Sequence, residues 1–213
     1  MFHSFILPFM LHMVTYWGTS LIFYLIDNTD ELIKNFRYKK AAITSFENQM
    51  FISFPVFYLL KDHIYDSVIK CQNDIWLVTL YRLFLIINLS NLLFYGFHYL
   101  LHSKVLFKYI HYVHHEYIEP IGVATFYAHP IDHLLTNVLA FLIPTIFVGI
   151  NYNMMLIMLS LGTIFSVLSH CNFQLKIFNW VLFNDSHIIH HKYFNCNYGF
   201  GRYLDKFMNT YRQ

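Results

Sequence analysis

The sequence predicts an all-α integral membrane protein of four or five transmembrane helices, with a histidine-rich helical cap on one membrane face. Three observations predict it. Charged residues make up 12% of the 213-residue chain, about half the usual share. Apolar residues make up 57% and aromatics 20%. From His133 to Leu175 there is no Asp, Glu, Lys or Arg, whereas the helices of a soluble domain need a solvated face. The net charge of +2 and the lack of basic runs give no reason to expect nucleic acid. Cys71, Cys171 and Cys196 form no CxxC, so neither a disulfide framework nor a thiolate zinc site is expected. The opening "MFHSF" has no basic residue and no small-x-small site follows, so the first apolar segment does not read as a cleaved signal.

Taken in order, the apolar runs place a first span at Ser4–Ile26 and a polar stretch after it, holding Lys34, Arg37, Lys39 and Lys40. A second, short span is expected at Phe46–Leu60, interrupted by Pro55, and then a polar loop over Lys61–Asp74. A third helix runs from Ile75 to about His102. At about 1.5 Å per residue it measures roughly 40 Å and outreaches a hydrocarbon layer of about 30 Å. Its C-terminal end is therefore expected to emerge into water, and Arg82 to snorkel or face protein. The uncharged stretch divides at "NYN", giving helices Leu134–Ile150 and Met154–His170 as a tight hairpin. A mobile connector, Lys176–Asp185, is expected next. Placing 27–45, 98–133 and 171–213 on one side collects eleven of the fourteen Lys and Arg residues there. The positive-inside tendency makes that side cytosolic. Five spans with a lumenal N-terminus satisfy it, and four remain if Phe46–Leu60 only dips into the membrane.

Eleven of the fourteen histidines lie between 98 and 191. His98 and His102 form HxxxH. His111, His114 and His115 form HxxHH, and His187, His190 and His191 repeat it. Residues at i, i+3 and i+4 share a helix face, so each cluster can converge on one metal ion or serve two adjacent ones. The eight donors exceed the four of a structural zinc and fit two ions with open positions. Imidazole suits iron, copper, zinc and nickel, so the count alone does not choose the metal. His170 ends the uncharged hairpin and is a further candidate, because a polar residue at membrane depth usually has a function. His129 is another. His3, His12 and His63 read as hydrogen-bonded buried residues, and His133 as a bystander at a helix start. A pH sensor also clusters histidines, without needing this repeated spacing.

These residues resemble the sterol desaturase/fatty acid hydroxylase superfamily of membrane-bound, non-haem di-iron oxygenases. "FHYLLH" is similar to its first histidine box, and "FKYIHYVHHE" to a pattern of C-4 methylsterol oxidases. "YAHPID", carrying His129, resembles the His-Pro-acidic element, and "LSHCNF", carrying His170, a further histidine segment. "HIIHHKYFNCNYG" is similar to the last box in a form close to C-5 sterol desaturases, and "LDKFMNTY" to a "WDRxFGTY" ending. Leu204 stands where the family has Trp, and Asn209 where it has Gly. The resemblance runs from about Phe97 to Tyr211. It implies an N-terminal transmembrane region, 1–96, and a di-iron domain, 97–213, that includes the membrane hairpin 134–170.

The resemblance further implies an oxidoreductase. Two non-haem iron ions, held by His98, His102, His111, His114, His115, His170, His187, His190 and His191, would activate O2 as co-substrate. Hydroxylation or desaturation of a lipid would follow, most directly of a sterol at a C-4 methyl group or C-5, in lipid biosynthesis. A fatty acid or sphingolipid is the alternative substrate. All-imidazole ligation is neutral, so outer acidic partners are expected to orient the ring N–H groups. Asp132, Asp185 and Asp205 are candidates, with Glu116 beside the first HxxHH. His129 is a further outer partner or ligand. Electrons would come from cytochrome b5 and its NAD(P)H reductase, at the cytosolic face of the endoplasmic reticulum. A non-enzymatic metal-binding or transport protein is the rival. It predicts ligands inside the spans, whereas these histidines sit at span ends and in loops.

Overall fold

The computed structural model describes residues 3–27, 31–171, 176–177, 180–181 and 186–213. Helix α1 covers His3–Ile26 and α2 Glu31–Asn48. A π-helical turn, Gln49–Ser53, leads into α3 (Phe54–Leu59) and α4 (Lys61–Lys70). Helix α5 spans Trp76–Leu101 and α6 Lys104–Tyr109. Two 3-10 turns follow, His111–Glu116 and Gly122–Phe126. Helix α7 (Pro130–Asp132) runs through a second π segment, His133–Leu139, into α8 (Ala140–Val148). Helix α9 is Tyr152–Ser169, α10 Ser186–Tyr193 and α11 Arg202–Phe207. The expected connector, where described, forms a two-residue antiparallel pair, β1 (Lys176–Ile177) with β2 (Trp180–Val181).

Four helices are long and apolar enough to cross a membrane: Ile6–Ile26, Trp76–Leu101, Pro130–Val148 and Tyr152–Ser169. Their burial is inside out relative to a soluble core. Helix α5 exposes Leu77, Phe84 and Leu92 while burying Thr79, Ser90 and Asn91. Apolar side chains face outward because lipid is their solvent, and small or polar ones pack between helices, where close approach and hydrogen bonds drive association.

Two polar stretches depart from their expected form. The stretch after α1 is helical from Glu31, and Lys61–Lys70 of the expected loop is helix α4. In α2 the buried positions are Lys34, Tyr38, Ala41, Ser45 and Asn48. Their 4-3-4-3 spacing is a helical stripe, but its residues are too polar for an apolar-run criterion to register. Pro55 lacks the N–H that would bond residue 51. The preceding turn widens instead, with the Phe54 N–H bonding the Gln49 carbonyl, the usual form of a π-bulge.

Residues 31–71 pass from one end of the bundle to the other in step with residues 116–149. Lys40 pairs with Glu116 (2.5 Å), Asn48 Nδ2 donates to the Phe126 carbonyl (2.8 Å), and Ser53 Oγ meets His133 Nε2 (2.8 Å). Further along, Ser67 Oγ donates to the Thr145 carbonyl (3.2 Å). Helix α5 starts at the hairpin tip, where Asn151 Nδ2 donates to Thr79 Oγ1 (3.2 Å), and ends at the histidines. Arg82 pairs with Asp74 (2.6 Å) and donates to the Val148 carbonyl at the same tip. The chain thus traverses the bundle five times, four times on a helix apolar enough to span and once on the polar-striped path α2–α4. An apolar cluster around Ile64, Ile86, Leu142 and Met155 packs toward the tip end. Another, around Tyr38, Tyr117, Ile121 and Tyr127, supports the histidine end.

Candidate metal centre

The nine histidines form two adjoining groups. His98, His102, His111, His115 and His190 present ring nitrogens within 4.8 Å of one another, and so do His114, His170, His187 and His191. All three repeated motifs use one rule. The i and i+4 histidines stay together: 98 with 102, 111 with 115, 187 with 191. The i+3 histidine, His114 or His190, crosses to the other group. Spacing alone had left open whether a cluster served one ion or two. Each HxxHH serves both groups.

The elements account for the aim of each ring. His98 occupies the last turn of α5 and His102 its C-cap. The first HxxHH is wound as a 3-10 turn and the second as α10. His170 is the C-cap of α9. The groups touch through His115 and His191, whose ring centroids are 4.6 Å apart. His98, His190 and His191 are at most 1% exposed. Burial holds His114 down to about 4 and His170 and His190 to about 3, so these imidazoles are neutral near pH 7.

The outer nitrogens reveal which ring atom carries the proton. A carbonyl has no proton to give, so an Nδ1 bonded to one must be the donor. His98 Nδ1–H donates to the Tyr198 carbonyl (2.7 Å) and His190 Nδ1–H to the Cys196 carbonyl (2.6 Å). His114 donates to the Tyr127 carbonyl (3.2 Å) and His170 to the Ser166 carbonyl (3.0 Å). His111 Nδ1–H donates to Asp132 Oδ2 (2.7 Å). In the neutral His114, His170 and His190 rings Nε2 is left with a bare lone pair, and those of His114 and His170 face one another. His98 and His111 Nε2 are 3.0 Å apart in one group, and His114 and His170 Nε2 are 3.3 Å apart in the other. Two acceptors at that distance repel unless a cation lies between them. Cis ligands on an ion with bonds of about 2.1 Å would stand about 3 Å apart, matching the neighbouring Nε2 distances of 3.0–3.3 Å. The donor set therefore fits one cation per group. The Nδ1 atoms of His115 and His191 are buried without a hydrogen-bond partner.

Of the acidic candidates, Asp132 touches a ring directly, with Thr136 Oγ1 3.1 Å from its other oxygen. Asp205 acts one step further out, on the backbone beside Tyr198. Asp185 lies outside the described residues. Glu116 bonds Lys40 and Tyr127 rather than a histidine. His129 joins neither group, and its Nδ1 accepts the Ile131 N–H as the N-cap of α7. His12 and His133 are buried with partners in Thr163 and Ser53. Sequence reasoning missed the carbonyls of Tyr127, Ser166, Cys196 and Tyr198, because a backbone oxygen carries no residue identity.

A cavity of about 20 Å³ lies between the two groups, lined by His98 and His111 from one, His114 and His187 from the other, and Phe94 and Thr136 from the spans. That is room for about one water-sized molecule. A larger cavity, about 780 Å³, lies outside the centre against Phe23, Tyr38, Ile121 and Ile188, and no ring of either group lines it.

A family model described as "Fatty acid hydroxylase" matches residues 83–210. The human "Fatty acid hydroxylase domain-containing protein 2" is 31% identical over 85% of this chain and 54% of its own length. "Sphinganine C4-monooxygenase 1" of Arabidopsis thaliana is 30% identical, covering 53% of this chain and 46% of that protein. "Methylsterol monooxygenase 2-2" of the same plant is 32% identical, over 49% and 41%. The chain thus spans about half the length, or less, of these relatives. No solved structure matches it.

Proposed function

This chain belongs to the fatty acid hydroxylase family, and from that premise we propose that it is an O2-dependent lipid hydroxylase with a histidine-held di-iron centre. The observation that carries the reading is the convergence of inward Nε2 atoms in both groups. His98, His102, His111, His115 and His190 would hold one iron, and His114, His170, His187 and His191 the other. The bound iron pair would supply O2 activation and oxidation of an unactivated C–H bond. Four carbonyls and Asp132 keep five ring protons on Nδ1 and so keep those Nε2 atoms free. The Asp132 carboxylate also fixes the orientation of the His111 ring. Phe94 and Thr136 line the small cavity from the membrane-spanning helices, the side from which a lipid chain would approach.

A sterol is the first substrate, because the "FKYIHYVHHE" segment resembles C-4 methylsterol oxidases and relatives are named methylsterol monooxygenases. A sphingoid base or fatty acid is the second, favoured by the relative named a sphinganine monooxygenase. Two electrons per O2 would arrive from cytochrome b5 and its reductase. The exposed Lys104, Lys108, Lys192, Arg202 and Lys206 at the histidine end suit an acidic donor. In this reading the centre faces the cytosol from the endoplasmic reticulum membrane. A metal carrier would need a path through the spans, and the closed, one-ended grouping of the histidines argues against it.

Two measurements test the reading. Protein purified anaerobically with iron should carry two iron atoms per chain, and a single zinc with activity indifferent to His111→Ala would sink it. Expression in yeast lacking C-4 methyl oxidation or C-5 desaturation, with sterol profiling, should restore one pathway. Rescue of neither, with new 2-hydroxy acids, would move the substrate to acyl lipids.

A further inference from the structure

The C-terminal loop from Phe194 to Gly201 supplies two of the carbonyls that orient the five-histidine group. The Cys196 carbonyl takes the His190 proton and the Tyr198 carbonyl that of His98. Side chains, not regular secondary structure, hold this loop. Asp205 accepts the N–H groups of Tyr198 (2.7 Å) and Gly199 (2.9 Å) on its two oxygens. Asn91, buried within α5, accepts those of Phe200 and Gly201, both at 3.1 Å, on one amide oxygen. The lack of a side chain at Gly199 lets the backbone come this close, because a Cβ there would stand 3.1 Å from Asp205 Oδ2 and 3.2 Å from Asn91 Oδ1. Asp205 is itself fixed by the Thr210 hydroxyl (2.8 Å), which Tyr95 also meets (3.1 Å).

We propose that Asp205 and Asn91 are positioning residues for the five-histidine ion alone, acting through the Tyr198 carbonyl on His98. The inference rests on the two-ion reading above. Its selectivity follows from the contacts. The carbonyls that orient the four-histidine group belong to Tyr127 and Ser166, and neither Asp205 nor Asn91 touches those segments. Asn91 is two turns before His98 on the same helix, so it ties the loop to the element that carries the ring it orients. The departure from the family ending at Asn209 leaves this arrangement intact. Asn209 has φ +56°, a left-handed conformation that asparagine tolerates better than other residues with a Cβ. The chain therefore still turns back to place Thr210 on Asp205.

The test is Co(II) titration of the full chain in detergent, read by visible absorption and bound-metal analysis. His187→Ala provides the reference for a weakened four-histidine ion. Asp205→Asn keeps the size but sets an NH2 group against a backbone N–H. Asn91→Leu keeps the bulk and removes the acceptor. Each variant, monodisperse and with wild-type helical content, should weaken one of two Co(II) equivalents by about 10–100-fold. The spectrum of the ion that His187→Ala weakens should stay unchanged. Equal weakening of both ions, or of neither, overturns the proposal. Loss of fold in both variants also overturns it, since the loop would then serve folding. Fewer than two equivalents in the wild type would instead remove the two-ion reading beneath it.

Discussion

Asp132 is the one carboxylate that touches a ring of either group among the described residues. Its replacement separates charge from shape. Asp132→Asn keeps an acceptor for the His111 proton but removes the negative charge behind the ring. Metal affinity of the five-histidine group should fall about 10–100-fold, with helical content unchanged, and an unaltered titration would show that the charge is idle. At this scale the sequence was generous about identities and silent about allegiance. Eight of the nine histidines were legible from spacing, since HxxxH and HxxHH are what helical faces require, and His170 from its place at the end of the uncharged hairpin. Which ring served which group was not, because the i+3 crossing depends on how the motifs dock. Asn91 had a readable signal, as an amide within an apolar span, but its purpose appears only when the loop beyond His191 lies against it.

Among the elements, the hairpin α8–α9 was the most legible, because nothing charged interrupts it and "NYN" marks its turn. Gly149 makes that turn with φ +73° and ψ 151°, a region that essentially only glycine occupies. A Cβ there would stand 2.7 Å from Cys71 Sγ and 3.1 Å from the Ser67 carbonyl. Gly149→Ala should therefore cost about 1–3 kcal/mol, seen as a lower melting temperature in detergent. Both metal equivalents should still bind, because the histidines lie at the opposite end of the hairpin. An unchanged melting temperature would contradict the strain. Helices α2 and α4 were read as polar connections for a physical reason. Their inner faces bond to backbone carbonyls of residues 126, 128 and 145, so polarity there signals packing rather than water.

For the whole molecule, the single crossing by α5 puts the segment around Asn73 and the segment around Tyr109 on opposite faces. Both residues are exposed, and the three native cysteines are buried, so introduced thiols can be read against a low background. In sealed microsomes an impermeant maleimide should label Tyr109→Cys directly and Asn73→Cys only after permeabilisation. Labelling of both from one side would contradict the crossing by α5. Metal removal is also a whole-molecule experiment. It leaves the His114 and His170 lone pairs opposed, so chelation should lower the melting temperature, and restoring metal should recover it.

The crossing of the i+3 histidines has a consequence for biosynthesis. His190 belongs to one group, and His187 and His191 to the other, so both enclosures wait for the same short helix. Residues 98–115 leave the ribosome early and must stand open while the hairpin inserts. At about 5–20 residues per second, the interval from His115 to His190 lasts roughly 4–15 s. In the two-ion reading, neither ion could be sealed in during that time, and one closing step after insertion would capture both.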